Sequence, residues 1–314
     1  MIKKITASIL VLIMTFSILL STTSCDLSFN DTKYAVVSEN NLTEDGLVYC
    51  VYENNTVAIT GREVPYSELV IPDTIDGKNV VEIASGAFEQ DESLVLVKLG
   101  KNVSLISDNA FSECPMLARV EATDALRKIA SSAFYDCQRL AEFTGASKLE
   151  IIDEVAFYNC IVLAYFDFPE TVTTILDEAF SGCSSLTEVK LNSNLKKFGT
   201  GVFSYCSSLT RFDLSSLKNI PGRTFLNCVS LDKITISNSV ESIGEHAFRG
   251  CLVLKTVNLG KNVKSVGESA FAQCNTITTV NYGSSESNFS KIKFDIDNDL
   301  LKSASISYDQ KIGN

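Results

Sequence analysis

Residues 175–191 read Ile175-Leu176-Asp177-Glu178-Ala179-Phe180-Ser181-Gly182-Cys183-Ser184-Ser185-Leu186-Thr187-Glu188-Val189-Lys190-Leu191, and the same frame returns along most of the chain. Phe88, Phe111, Phe134, Phe157, Phe180, Phe203, Phe225, Phe248 and Phe271 follow one another at intervals of 23 residues, with a single interval of 22. Three residues after the Phe stands a Cys, missing only at Asp91; six after it stands Leu, or Ile277 in the last turn. Aliphatic residues sit five and eight before the Phe, with Phe198 the one aromatic among them. The short interval loses its residue between Leu214 and Leu217 and keeps both of these anchors, as a deletion in a turn does. A fixed period of this length is the mark of a solenoid, in which each turn buries its apolar face only by stacking on its neighbours.

Beyond the Leu the pattern alternates, as in Leu186-Thr187-Glu188-Val189-Lys190-Leu191 and Leu254-Lys255-Thr256-Val257-Asn258-Leu259. Period two places Val189 and Leu191 inside and Glu188 and Lys190 in solvent. The expected fold is an α/β-type solenoid of 23-residue turns with one short parallel strand per turn and a cap at each end. Caps are required because an open last turn exposes its ladder edge. At a strand spacing of ~4.8 Å, nine turns stack to roughly 40 Å.

These positions resemble the BspA-type leucine-rich repeats of bacterial surface proteins, whose unit runs approximately I-x-x-x-A-F-x-x-C-x-x-L-x-x-V-x-L. The resemblance covers about Leu69 to Tyr282. It implies a surface protein that binds other macromolecules, with adhesion to host or matrix proteins or to other cells as the associated role. The flanks are similar too: residues 47–60 read as a hairpin, Leu69 to Gly77 as an incomplete first turn, and residues 303–308 as a closing segment. The expected organisation is therefore a leader over 1–24, a lipidated N-terminus and short linker over 25–33, a cap and first turn over 34–79, the solenoid over 80–283 and a C-terminal cap over 284–314.

The leader rests on Lys3 and Lys4, the apolar run from Ile5 to Leu20, and Ser21-Thr22-Thr23-Ser24-Cys25. A charged start, an apolar centre and small residues before a cleavage point make a secretory signal peptide. The small residues ahead of Cys25 resemble the bacterial lipoprotein box, with Thr22 where that box commonly has Leu, and this implies acylation of Cys25. The membrane is then met through the lipid alone, and the linker limits reach to roughly 30 Å.

Losing Lys3 and Lys4 with the leader takes the formal charge from −11 to −13 over residues 25–314. Nucleic acid is a poor partner for such a chain, since phosphate binding needs a basic stripe. Eight of the ten cysteines fall on one repeat position. They read as buried thiols of a core that needs no staples, although stacked thiols at strand spacing also lie within disulfide range, and an exported chain meets oxidant. A single line of sulfurs supplies no tetrahedral metal site. The one histidine, His246, falls on a variable position and reads as a solvated surface residue. With no phosphate loop, Cys-x-x-Cys pair or nucleophile elbow, the inventory supports no enzyme, cofactor or metal. Asp295-Ile296-Asp297-Asn298-Asp299 lacks the Gly and distal Glu of a calcium loop and reads as a solvated acidic turn.

Binding is then sought on two variable surfaces. The outward strand positions include Arg119, Glu121, Tyr165, Asp167, Glu188, Lys190, Arg211 and Asp213, which either meet a protein partner or neutralise one another across the ladder. Just after the Phe, Tyr135 and Tyr158 share one position and Tyr205 lies one residue on; they either form a contact surface or fold over neighbouring turns. Carbohydrate binding is the runner-up and finds only Tyr165 as an aromatic on the sheet; a structural envelope role without a dedicated ligand is the third. If Cys25 carries the lipid, Cys25→Ala releases the chain from the membrane fraction or leaves the leader uncleaved. An unchanged mature mass and membrane partition would contradict the assignment.

Overall fold

The computed structural model describes residues 34–312. The leader, Cys25 and the linker lie outside the described residues. Within each turn the residues two before and two after the Phe both take the left-handed backbone conformation, from Gly86 and Gln90 in the first turn to Ser269 and Gln273 in the last. In the quoted stretch φ is +55° at Glu178 and +77° at Gly182. Two such reversals four residues apart aim alternate N–H groups along the stack. Glu178 donates to the Thr200 carbonyl at 2.8 Å, Phe180 to Val202 at 2.9 Å and Gly182 to Ser204 at 2.8 Å. The residues between them donate three positions back within their own turn, as Ser181 does to Glu178 at 3.0 Å.

This arrangement fixes the core. The Phe rings stack nearly parallel from Phe88 to Phe203, with centroids 5.1–5.7 Å apart, and again from Phe225 to Phe271. All nine described cysteines are free and buried. Each of the eight repeat thiols points at the carbonyl of the Phe in the preceding turn, as Cys114 does to Phe88 at 3.0 Å and Cys183 to Phe157 at 3.2 Å. A thiol is therefore both the filler and a second, weak donor to an oxygen that in most turns already accepts the N–H three residues on, as Phe157 does from Cys160 at 3.2 Å. Burial pushes the Cys183 and Cys228 thiols well up.

The expected strand lies eight to ten residues after the Phe, as in Leu96–Lys98, Arg119–Glu121 and Glu188–Lys190, with partners in parallel register. Each turn adds to it a two-residue strand about the aliphatic five before the Phe, such as Ile151–Ile152 and Thr174–Ile175, so most turns carry two short strands where one was expected. Among the described residues helix is confined to single turns at Glu286–Phe289 and Asp299–Lys302.

The ends are closed by polar groups that stand in for the missing turn. At the N-terminal end the antiparallel pair Leu47–Tyr52 and Val57–Arg62 joins the second ladder by pairing in parallel with Lys78–Ile83. Asp91, the one departure from Cys, accepts from the Arg62 guanidinium at 2.5 Å and from the Ser93 and Leu94 N–H groups. Burial raises the Asp91 carboxyl, but hydrogen bonds from Ser93 and Arg62 outweigh it and hold the group below the usual range. At the other end the aspartates of the 295–299 turn are exposed as expected, and Asn298 among them is the exception. It is fully buried, accepts from the Phe271 N–H at 3.3 Å and donates to the Gly267 carbonyl at 2.9 Å.

Two outcomes are expected from this packing. Native protein resists alkylation, denatured unreduced protein shows nine reactive thiols from the described residues, and Cys183→Ser costs about 1 kcal/mol, because the new hydroxyl finds the Phe157 carbonyl. A denatured sample without free thiols contradicts this. Asp91→Ala leaves Arg62 buried and unpaired and costs roughly 3 kcal/mol at pH 7. Since the folded Asp91 pKa is depressed, the wild-type advantage is complete above the unfolded carboxyl pKa of about 4 and fades as pH falls through the folded value. Urea midpoints of both proteins at neutral and acid pH check the sign.

Candidate binding face on the strand ladder

The strand ladder that carries the outward side chains is interrupted twice. Glu68–Val70 to Glu142–Thr144 form one sheet, Glu188–Lys190 and Arg211–Asp213 a second, and Lys233–Ile236 to Ser305–Ser307 a third. The inward residue of the strand explains both seams. It is Val or Ile where the ladder holds best and Phe143, Phe166 and Phe212 around the breaks. A ring there packs edge-on against the central stack: Phe166 meets Phe180 at 5.0 Å and 65°, and Phe212 stands between Phe203 and Phe225 at 5.2 and 4.6 Å. Phe168 adds a second ring in the same turn, 5.2 Å from Phe180. Phe143 and Phe212 keep parallel register with the strand before them and lose the ladder on the following side, and Phe166 lies in no ladder at all. Ala118 and Ala141 donate to the preceding turn at 2.9 Å, whereas Ala164 makes no such bond and residues 165–167 form no ladder. The second seam also coincides with the 22-residue turn.

Each seam is a cleft. The first, about 530 Å³, is lined by Tyr165, Asp167, Glu170 and Lys190 among others. The second, about 340 Å³, is lined by Glu188, Lys190, Arg211, Phe212 and Asp213 of the middle sheet and by Thr235 and Ser237 across the seam. Both are open, polar-rimmed surfaces that suit an extended macromolecular contact better than an enclosed small molecule.

The candidate side chains divide by what they already touch. Arg119 pairs with Glu121 at 3.0 Å and with Glu142 at 3.3 Å, so the first sheet neutralises itself. Lys98 likewise pairs with Glu68 at 2.7 Å. On the third sheet an amide ladder occupies the face: Asn281 donates to Asn258 at 2.8 Å and Asn258 to Thr235 at 2.9 Å. The middle differs. Arg211 reaches Glu188 only at 3.9 Å, Asp213 accepts the Ser215 N–H, and Tyr165, Asp167 and Lys190 make no side-chain bond among the described residues. Tyr165 is 67% exposed. Sequence reasoning named these residues but not the seams; the signal was the three Phe residues at the inward strand position.

On the turn surface Tyr135 and Tyr158 stack on each other at 5.1 Å and 6°, while Tyr205 stands exposed at a left-handed position. His246 corrects its expectation. It occupies the left-handed position two before the Phe, with φ +54°, is half-buried, and its Nδ1 is buried without a hydrogen-bond partner. Among the described residues no group of His, Cys, Asp and Glu is placed to hold a metal ion, and no helix is long and apolar enough to cross a membrane.

The family model for the BspA type leucine rich repeat region matches the chain in overlapping stretches, residues 66–186, 150–278 and 218–312. Among solved structures, a leucine rich repeat protein of T. pallidum is 30% identical, with a TM-score of 0.51 over 68% of this chain and 91% of that one. A leucine rich cell surface protein of Faecalibacterium prausnitzii is 20% identical, with a TM-score of 0.36 over 84% of this chain and 99% of that one. A pneumococcal vaccine antigen, PcpA, is 18% identical, with a TM-score of 0.35 over 89% of this chain and 98% of that one. No curated protein matches the chain significantly.

Proposed function

The chain belongs to the BspA-type leucine-rich-repeat family, and from that premise we propose that it is an exported, lipid-anchored binding protein whose middle strands dock another protein, in adhesion to host or matrix proteins or to other cells. The observation that carries this reading is the contrast along one face. On the first sheet the charges pair closely and on the third the Asn281, Asn258 and Thr235 side chains bond one another, whereas the middle segment has only the long Arg211–Glu188 pair at 3.9 Å and leaves Tyr165, Asp167 and Lys190 without a side-chain bond. Tyr165, Asp167, Lys190, Arg211 and Asp213 present an aromatic ring and charges of both signs at open clefts. A large aromatic ring beside uncommitted charges is the composition of a protein-binding hot spot. Export and the anchor are supported by the charged, apolar and small-residue run ending at Cys25. Repeat solenoids of this kind serve as interaction scaffolds, which favours binding over catalysis.

The test is a pulldown from host-matrix extract and from the producer's surface extract, followed by affinity measurement on the captured protein. Reversing Arg211→Asp together with Asp213→Arg keeps the net charge and inverts the pattern a partner meets. Affinity should fall at least tenfold, with the melting temperature unchanged because both side chains are exposed. Unchanged affinity removes the strand face as the docking surface, and capture of glycans alone replaces the protein-binding reading with the carbohydrate one.

A further inference from the structure

The second ladder, built on the short strands about the aliphatic five before the Phe, breaks between Lys197–Phe198 and Asn219–Ile220. The 22-residue turn lies at this break. In full turns the residue nine before the Phe reaches back one turn: Thr171 donates to the Leu149 carbonyl at 2.6 Å and Ser239 to the Leu217 carbonyl at 2.8 Å. In the short turn the Ser216 hydroxyl at that position is buried without a hydrogen-bond partner. The backbone shows the same loss. Lys196 donates to the Thr173 carbonyl at 2.8 Å and Glu241 to the Lys218 carbonyl at 2.7 Å, whereas the Lys218 N–H makes no bond to the turn before it.

Positive charge collects at the same place. Lys196 and Lys197 stand on one side of the break and Lys218 on the other, all exposed. Lys196 and Lys197 have no ion pair among the described residues. The row continues through Glu241 and Lys264 to Lys293, which pairs with the strand of Ser265. Glu241 is shared by Lys218 at 3.2 Å and Lys264 at 2.6 Å, and their ammonium groups hold its carboxyl below the usual range. Five lysines thus face one carboxylate over five turns, a length of roughly 20 Å at ladder spacing. Earlier in the same ladder the charges cancel, since Arg127 pairs with Glu150 at 3.4 Å and Lys128 with Asp153 at 2.9 Å. The acidic total of the chain conceals a basic stripe.

The surroundings select what the stripe takes. Between the lysines the outward residues are small and polar, Thr173, Thr174, Asn219, Ser242 and Ser265, with no aromatic ring or Arg. The stripe therefore lacks the anchors of a protein hot spot and the platforms on which bases stack. Exposed carboxylates run alongside at Asp177, Glu178, Glu245 and Glu268. A flat anionic bilayer would meet these as well as the lysines, whereas a thread lies on the lysines alone. Ammonium groups act as point charges and offer no planar fork for a carboxylate, while hydroxyls and a free backbone N–H are ordinary partners of phosphate oxygens. A net excess of about one charge per turn matches a chain with one anion per repeat better than a heavily sulfated glycan.

We infer that the basic stripe across the broken second ladder is a second binding site, independent of the strand face, for a linear phosphodiester polymer of the poly(glycerol phosphate) kind. The polymer runs along the stack over Lys218 and Lys264, with one phosphate at the break held by the Lys196 and Lys197 ammonium groups and the Lys218 N–H.

The test uses the purified full chain and labelled poly(glycerol phosphate), with binding read by fluorescence anisotropy. Affinity should fall about tenfold between roughly 50 and 200 mM salt. Lys196→Gln together with Lys197→Gln should weaken binding about tenfold with an unchanged melting temperature, because both side chains are exposed. Glu241→Gln, which frees Lys218 and Lys264, should tighten it about threefold. Lys233→Gln together with Lys255→Gln removes the same charge from exposed positions on the strand side and should leave affinity within about twofold. Absence of binding overturns the proposal. So does an equal loss from the two double variants, which is general charge, and so does tighter binding of polyglutamate or heparin, which is a carboxylate or sulfate partner. Binding of phosphatidylglycerol vesicles that depends on Lys196 and Lys197, without binding of the polymer, replaces the thread with a bilayer and also overturns it. The stripe variants leave the strand face untouched, so the result stands whether or not a strand-face partner is found.

Discussion

Everything in this molecule hangs on three peptide N–H groups per turn that point along the stack. They belong to the Phe and to the residues two either side of it, and they reach the next turn because the flanking residues are left-handed. For Val155, Glu178, Tyr205 and Arg223 that conformation is unfavourable in isolation, and only the completed stack over-determines it. A turn alone has unsatisfied donors, strained backbone and an exposed ring. The solenoid is therefore cooperative from neighbour to neighbour, and local strain is held in place by the same hydrogen bonds that it permits.

The constraint also dictates the exceptions. The first turn has no preceding Phe carbonyl for a thiol, and there Cys gives way to Asp91, held by Arg62 from the cap. The last turn has no following carbonyl for Phe271, and the buried Asn298 side chain supplies one. Between the ends, Phe166 and Phe212 overfill the inward strand position, and the strand ladder yields while the hydrogen bonds around the central Phe persist. The seams thus arise where the weaker of two stacked layers accommodates extra volume. They also break the row of mutually neutralising charges, which links core packing to a surface available for binding.

Much of this was legible in the residues themselves. The 23-residue period, the ladder positions, the burial of the cysteines and the outward strand residues all follow from spacing and alternation. The left-handed pair was hidden because side chains as different as Val155, Glu178 and His246 occupy it, and the backbone need shows only as an uneven enrichment in Gly, Asn and Ser. The second short strand spans only two residues per turn, too few for a periodic signal. Asn298 sat in a stretch rich in aspartate, whose composition suggests solvent, and its burial follows from the requirement of Phe271 rather than from its neighbours. Among the candidate sites, residue identity was readable and commitment was not. Arg119 and Lys190 look alike in sequence, yet one is paired twice and the other is unpaired.

The account's central claim is that a rigid, fully bonded stack carries a strand face interrupted at residues 164–168. Amide hydrogen exchange resolved to single residues measures both parts at once. The amides of Phe111, Phe134, Phe157 and Phe180, and of Ala118 and Ala141 on the intact strand row, should exchange slowly, near the rate of global unfolding, while Ala164 and residues 165–167 exchange orders of magnitude faster. Protection at Ala164 equal to that at Ala141 would contradict the interrupted ladder and the binding face derived from it.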